Sequence, residues 1–383
     1  MGKKGYLTLE DGKIFEGDSF GSESDVAGEV VFNTGMVGYP EGFTDPSYYG
    51  QILTMTYPLI GNYGVPQMKV PKESEVPKVP KAQNKNNIIN PYFESDKVHI
   101  RGLIVSSYIE STNHWQATQS LSSWLLKQNV PALSGIDTRS LTKIIREKGV
   151  MKASISFESP RNTSGTFFYD INRENLVASV STKKTIRYGK GKWKILLLDC
   201  GVKLNQIRML LKLNCEVIRV PWDFDPFSGG NSATLDAIVI SNGPGDPKMT
   251  VKTINVVKKA LERKIPILGI CLGNQILALA AGADTYKLKY GHRGQNQPVV
   301  DNTTGKCYVT TQNHGFTVDT KTLPGGWQST FTNLNDSTNE GIKHNKLPFY
   351  SVQFHPESTP GPTDTGWIFD YFIFQVKDWL KKN

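Results

Sequence analysis

The sequence predicts an α/β protein in two parts: a C-terminal domain over residues 192–383 with a mainly parallel sheet flanked by helices, and an N-terminal mixed α/β domain over residues 1–157. A linker over 158–191 joins them. Three observations carry this division. The chain has 383 residues, more than the roughly 100 to 200 of one ordinary domain. From Lys192 onward apolar, strand-like runs alternate with helical periodicity, which is the pattern of a parallel sheet wrapped by helices. Before that point short strand patterns dominate and helical ones come late.

In the first part, residues 6–9, 29–32, 52–57 and 98–106 read as strands, and helical patterns follow near 117–128 and 138–148, with Asp137 placed to cap the second. Between Gln67 and Asn90 the apolar periodicity gives way to Lys, Pro, Asn and Gln, so an exposed, mobile insertion is expected there. The stretch 158–191 ends in STKKTIRYGKGK and reads as the linker. In the second part WKILLLD is a buried strand, 205–213 a helix, 216–220 and 236–241 strands, 251–263 a helix, 265–270 a strand and 349–354 a strand. In sheets of this kind ligands sit beyond the strand C-termini. Three loops fall there: NGPGDP (242–247), the turn at Cys271, and HPE (355–357).

Composition narrows the classes. The 38% hydrophobic content is that of a globular protein. No stretch approaches the roughly 20 apolar residues of a membrane helix, and MGKKGYLTLEDGK has no signal-peptide core, so a cytoplasmic protein without membrane attachment is expected. Four scattered cysteines without a CxxC pair argue against a disulfide framework and a zinc site. The net charge of +9 is concentrated in two polar stretches and accompanies no nucleic-acid motif, so no nucleic-acid partner is expected.

Cys271 stands apart from the other cysteines. In GICLGN an apolar run ends at Ile270 and Leu272, Ile276 and Leu279 begin a helical face, which places the cysteine at a strand-to-helix elbow. Flanking glycines remove the Cβ atoms that would crowd such a turn, and the helix aims free N–H groups and its positive dipole end at the sulfur. Cys200, Cys215 and Cys307 lack this frame and read as packed core cysteines. A cysteine nucleophile needs a base, and His355, at the end of an alternating strand, is the best of six histidines, with Glu357 two residues on to hold its other nitrogen. Gly243 and the N–H of Leu272 are candidate donors for an oxyanion.

NGPGDP, GICLGNQ and SVQFHPES, in this order and at these spacings, resemble the class I (triad) glutamine amidotransferases. The motifs GEVVFNTGMVGYPEGFTDPSYYGQIL, TYPLIGNYG, GIDTRSLTKIIREKG, YGHRGQNQP and QNHGFTVD resemble, more narrowly, the glutaminase subunit or domain of carbamoyl-phosphate synthetase. The resemblance implies a catalytic triad of Cys271, His355 and Glu357. It also implies a glutamine pocket formed by Ser47, Gly243, Gly245, Leu272, Gln275, Asn313, Gly315 and Phe316. It further implies hydrolysis of glutamine to glutamate and ammonia through a thioester, for pyrimidine or arginine synthesis. No cofactor or metal is expected in this chain, which has no GxxxxGK[ST] phosphate loop. ATP, Mg and bicarbonate would be used by a synthetase partner, either a large subunit or fused synthetase domains. Some relatives lose the cysteine and only support a synthetase; this chain retains it. Two departures stand out: Asn274 replaces the histidine of the familiar GICLGHQ, and the Lys/Pro-rich insertion has no counterpart in compact members.

Overall fold

The computed structural model describes residues 2–67, 89–158, 168–228 and 235–383. Residues 68–88, nearly all of the insertion expected to be exposed and mobile, lie outside them.

The N-terminal part is a closed, mixed barrel. Its strands are β1 (Lys4–Leu9), β2 (Ile14–Ser19), β3 (Val26–Asn33), β4 (Gln51–Met55), β5 (Gly102–Val105), β6 (Ala132–Ser134) and β7 (Met151–Ser156), in the order β1-β2-β6-β5-β4-β3-β7, with β7 returning to β1. Neighbours from β3 through β6 are parallel, and the remaining pairings are antiparallel. Alternation of side chains along each strand feeds two apolar clusters. Val30, Ile52 and Ile104 join one of them with Leu141 and Ile145, whereas Val31, Leu53 and Leu103 join the other with Phe43 and Trp124. These partners come from three helices, α1 (Tyr39–Phe43), α2 (Leu121–Lys127) and α3 (Thr138–Lys148). The cap expected at α3 is present: Asp137 accepts a hydrogen bond from the Ser140 N–H at 2.9 Å.

Residues expected to act only as a linker do more. They include α4 (Leu176–Val180) and β8 (Ile186–Tyr188), an edge strand antiparallel to β10 (Cys215–Pro221). The large sheet then builds on β9 (Trp193–Asp199), β11 (Ala237–Ile240), β12 (Ile267–Ile270) and β17 (Phe349–Val352), which with β10 form a parallel block ordered β10-β9-β11-β12-β17. Beyond β17 it continues antiparallel through β16 (Asn339–His344), β15 (Trp327–Asn333), β13 (Asp284–Asp301) and β14 (Cys307–Asp319). The parallel expectation thus describes the block that carries the cysteine, because only there do helices alternate with strands.

Both faces of the block are covered, as parallel strands require. On one face Ile195, Leu197 and Leu268 pack with Ile207 and Leu210 of α5 (Leu204–Lys212) and with Phe369 and Phe372 of α8 (Trp367–Lys382). On the other, Leu196, Ile238 and Ile240 pack with Val256 and Val257 of α6 (Val251–Glu262) and Ile276 and Leu277 of α7 (Leu272–Ala281). The amphipathic pattern expected for α7 understates its burial. Every residue from Leu272 to Ala278 is buried, because α7 also lies against β13, β14 and β16. Cys307 corrects the reading of a packed cysteine: it is exposed, since it opens β14 beside the β13–β14 turn. Cys200 and Cys215 are buried as expected.

Candidate active site

The elbow between β12 and α7 holds Cys271 at φ 55°, ψ −104°, a conformation costly for any residue with a Cβ. The positions two residues to either side must be glycine. A Cβ on Gly273 would stand 2.2 Å from the Ile240 carbonyl oxygen, and one on Gly269 would stand 2.4 Å from that of Gly273. Cys271 precedes α7 directly, so the first free N–H groups of that helix surround it. Its own N–H is anchored to the Val352 carbonyl at 2.9 Å, tying the elbow to β17.

His355 and Glu357 follow β17. The His355 N–H is held by the Thr311 carbonyl at 2.9 Å, and its ring Nδ1 lies 2.7 Å from Glu357 Oε1. Nε2 is buried and has no hydrogen-bond partner at normal geometry among the described residues, which leaves it free for the sulfur or a substrate. Burial works to lower the proton affinity of His355, but the Glu357 carboxylate and the Cys271 sulfur outweigh it and push the value up to about 10. Burial would raise that of Glu357; Lys203 and His355 outweigh it and hold the carboxyl down to about 2.

Sequence reasoning missed Lys203. It is buried at the start of α5, with Nζ 3.3 Å from Glu357 Oε1 and donating to the Ser358 carbonyl at 2.5 Å. Gln206 Nε2 also donates to Glu357 Oε1, at 3.3 Å. Further out, Glu94 from the barrel domain is buried against Arg208 and accepts from the Asn205 N–H.

Ser47, Gly243, Gly245, Leu272, Gln275, Asn313, Gly315 and Phe316 all line one cleft with Cys271. Gly243 approaches closely enough that a Cβ would lie 2.1 Å from the Cys200 carbonyl, and Gly245 has φ +86°, so both positions of NGPGDP require glycine. Asp45 joins the walls. Its carboxylate accepts from the Ser47 N–H at 2.9 Å, from Asn242 Nδ2 at 3.2 Å and from Asn313 Nδ2 at 3.0 Å. Gln275 Nε2 donates to the Phe316 carbonyl at 2.8 Å.

The cleft also contains residues that sequence reasoning missed. Glu29 pairs with Lys287 at 2.5 Å and accepts from Gln51 at 3.2 Å, and Lys287 reaches Asn172 at 3.2 Å. Arg293 is buried, with one guanidinium N–H on the Tyr290 carbonyl at 2.8 Å and Nε without a partner. Glu29, Gln51 and Arg293 lie inside the motifs GEVVFN, GQIL and GHRG, which was the available signal; Lys287 and Asn172 carry none. A cleft with a carboxylate, two cations and amides beside a nucleophilic sulfur suits a small zwitterion with a reactive acyl group.

Residues 196–374 match the family Glutamine amidotransferase class-I, which makes the sheet domain one of that class. Residues 7–155 match Carbamoyl-phosphate synthase small chain, CPSase domain. The chain therefore carries a carbamoyl-phosphate synthase small-chain domain in the barrel, followed by a class-I glutamine amidotransferase domain. It is 47% identical to Multifunctional protein pyr1-3 of Dictyostelium discoideum over 390 aligned positions, which cover 98% of this chain and 17% of that protein. It is 48% identical to Carbamoyl-phosphate synthase [ammonia], mitochondrial, of Mus musculus, over 98% of this chain and 24% of that protein. The match to Multifunctional protein URA2 of Saccharomyces cerevisiae is 45% over 97% of this chain and 17% of that protein. The chain thus spans a quarter or less of the length of these relatives. Among the described residues no helix is long and apolar enough to cross a membrane.

Proposed function

We propose that this chain hydrolyses the side-chain amide of glutamine and supplies the ammonia to a synthetase that makes carbamoyl phosphate from bicarbonate and ATP, for pyrimidine or arginine synthesis. The observation that carries the reading is the placement of Cys271 on a strained elbow beside His355 and Glu357, at the floor of the cleft between barrel and sheet. The Cys271 thiolate attacks the amide carbon, and the oxygen that gains charge is received by backbone N–H groups of Leu272 and Gly243. His355 gives its proton to the leaving nitrogen, which departs as ammonia and leaves a thioester. Water, deprotonated by His355, then attacks the thioester, releasing glutamate and restoring the thiolate. Ser47, Gln275, Asn313, Gly315 and Phe316 position the amino acid.

The synthetase would be a separate large subunit or domains fused to this chain. ATP, magnesium and bicarbonate belong to that partner, and the small-chain match together with relatives named carbamoyl-phosphate synthase supports it. The protein would act in the cytoplasm. The mouse relative is named for ammonia, which suggests a second reading in which the fold only supports a synthetase; the intact Cys271–His355–Glu357 arrangement favours hydrolysis. Glutamate release should be slow for the chain alone and faster with a synthetase, ATP and bicarbonate. Cys271→Ser and His355→Asn should each abolish it, whereas Glu357→Gln should cost roughly a hundredfold less than loss of the base. Equal turnover in His355→Asn would remove that residue from the mechanism, and fast turnover unaffected by a synthetase would make the chain an autonomous amidase.

A further inference from the structure

Gln353 follows β17 two residues before His355, and it is fully buried. Its carboxamide makes three contacts. Oε1 accepts from Asn274 Nδ2 at 3.1 Å and from Gln275 Nε2 at 3.1 Å, and Nε2 points to Cys271 Sγ at 3.8 Å.

The orientation of this amide follows from its neighbours. The Phe316 carbonyl can only accept, so the Gln275 group that faces it at 2.8 Å is the NH2. The same NH2 faces Gln353, which must therefore present its oxygen. Asn274 in turn must present its NH2 to that oxygen, and its own Oδ1 is left to accept from the Ser351 hydroxyl at 2.8 Å. Turning the Gln353 amide over would set its NH2 against two others in a buried site and leave each without an acceptor. Its N–H end is thus kept on the sulfur.

Two backbone and side-chain groups besides His355 address that sulfur, and they serve opposite protonation states. The Asn313 carbonyl, 3.7 Å away, can only accept and so suits the S–H of a thiol. Gln353 Nε2 can only donate and so suits a thiolate, for which a hydrogen bond to a charged acceptor is the stronger kind. We infer that Gln353 is a further catalytic residue, a neutral N–H donor held on the Cys271 thiolate by Asn274 and Gln275. The inference deepens the glutamine-hydrolysis reading and rests on it for the reaction. The donor assists twice: it favours the thiolate before attack, and it receives the thiolate when water expels it from the thioester.

The test uses the full chain with exposed Cys307 changed to Ser, so that alkylation reports on Cys271. Gln353→Met keeps the length of the side chain and removes the donor. At about pH 7 its Cys271 should react with iodoacetamide about tenfold more slowly than in the parent, and the thiolate absorbance near about 240 nm that Cys271→Ala removes should weaken. Gln353→Leu takes its place if the methionine variant does not fold, with the same expectation. Parental alkylation rate and absorbance in the folded variant would overturn the inference, since a merely structural glutamine would leave both unchanged. These measurements need no glutamine. A parent chain without glutaminase activity would sink the functional reading while leaving this contact to be read, and parental alkylation in the variant would do the reverse.

Discussion

Asp45 of the barrel and Asn242 of the sheet domain meet across the domain junction, with Asn242 Nδ2 donating to Asp45 Oδ1 at 3.2 Å and to Ser47 Oγ at 2.8 Å. Asn242 Oδ1 looks the other way, accepting from the Lys203 N–H at 3.0 Å and from Gln206 Nε2 at 3.0 Å. Since Lys203 and Gln206 both reach Glu357, one amide connects the wall of the cleft to the carboxylate that faces His355.

Asp45→Asn tests this junction. An asparagine can keep its oxygen on Ser47 and Asn242, but its NH2 then opposes Asn313. A mismatched buried hydrogen bond costs roughly 1–3 kcal/mol, so the KM for glutamine should rise about tenfold while kcat changes less. Steady-state glutaminase kinetics check it, and an unchanged KM would show that the junction does not set the cleft.

The elbow should reverse an ordinary substitution effect. Glycine normally destabilises relative to alanine, but at Cys271 the backbone has φ 55°, which glycine alone adopts freely. Cys271→Gly should therefore be more stable than Cys271→Ala by about 1 kcal/mol in urea unfolding. The opposite order would mean that the elbow relaxes once the sulfur is gone.

Stability should fall on the alkaline side. His355 is pushed up to about 10 and His292 to about 9; for His292 burial alone would lower it, but hydrogen bonds to Asp336 and Glu340 prevail. A histidine raised above its ordinary value of about 6.5 contributes stability that is complete below that value and is lost as the pH climbs through the raised one. Unfolding midpoints should decline from about pH 6.5 until about pH 10, and His292→Asn should flatten the decline. A flat parental profile over that range would show that neither histidine keeps its extra proton.

The reach of sequence reasoning follows from where each signal lies. Cys271 was legible because an elbow requires glycines beside it and a helix after it, all within six residues. Trp193–Asp199 was read correctly because it holds a short unbroken apolar run, and Thr138–Lys148 because period and cap coincide. The β13–β14 hairpin was not, since register shifts between Lys287 and His292 and between Gly294 and Gln297 break the alternation that marks a strand. Lys203, and the contacts of Asn242 at the start of NGPGDP, were invisible for another reason: no local spacing relates them to Glu357 or Asp45, and only the folded chain brings them together. The placement of Glu29 beside Lys287 is of the same kind.

The cleft takes Glu29, Ser47, Gln51, Ile171 and Asn172 from the chain before β9, and its sulfur and donors from after it. Cys271, His355 and Glu357 thus all lie within one lobe, while the full lining of the cleft exists only when two lobes are in register. A tilt of the barrel too small to unfold anything would leave Cys271 and His355 where they are yet open the far wall of the cleft. Loss of activity and loss of structure are accordingly separate events in this chain, and heating or mild denaturant would reach the first of them earlier.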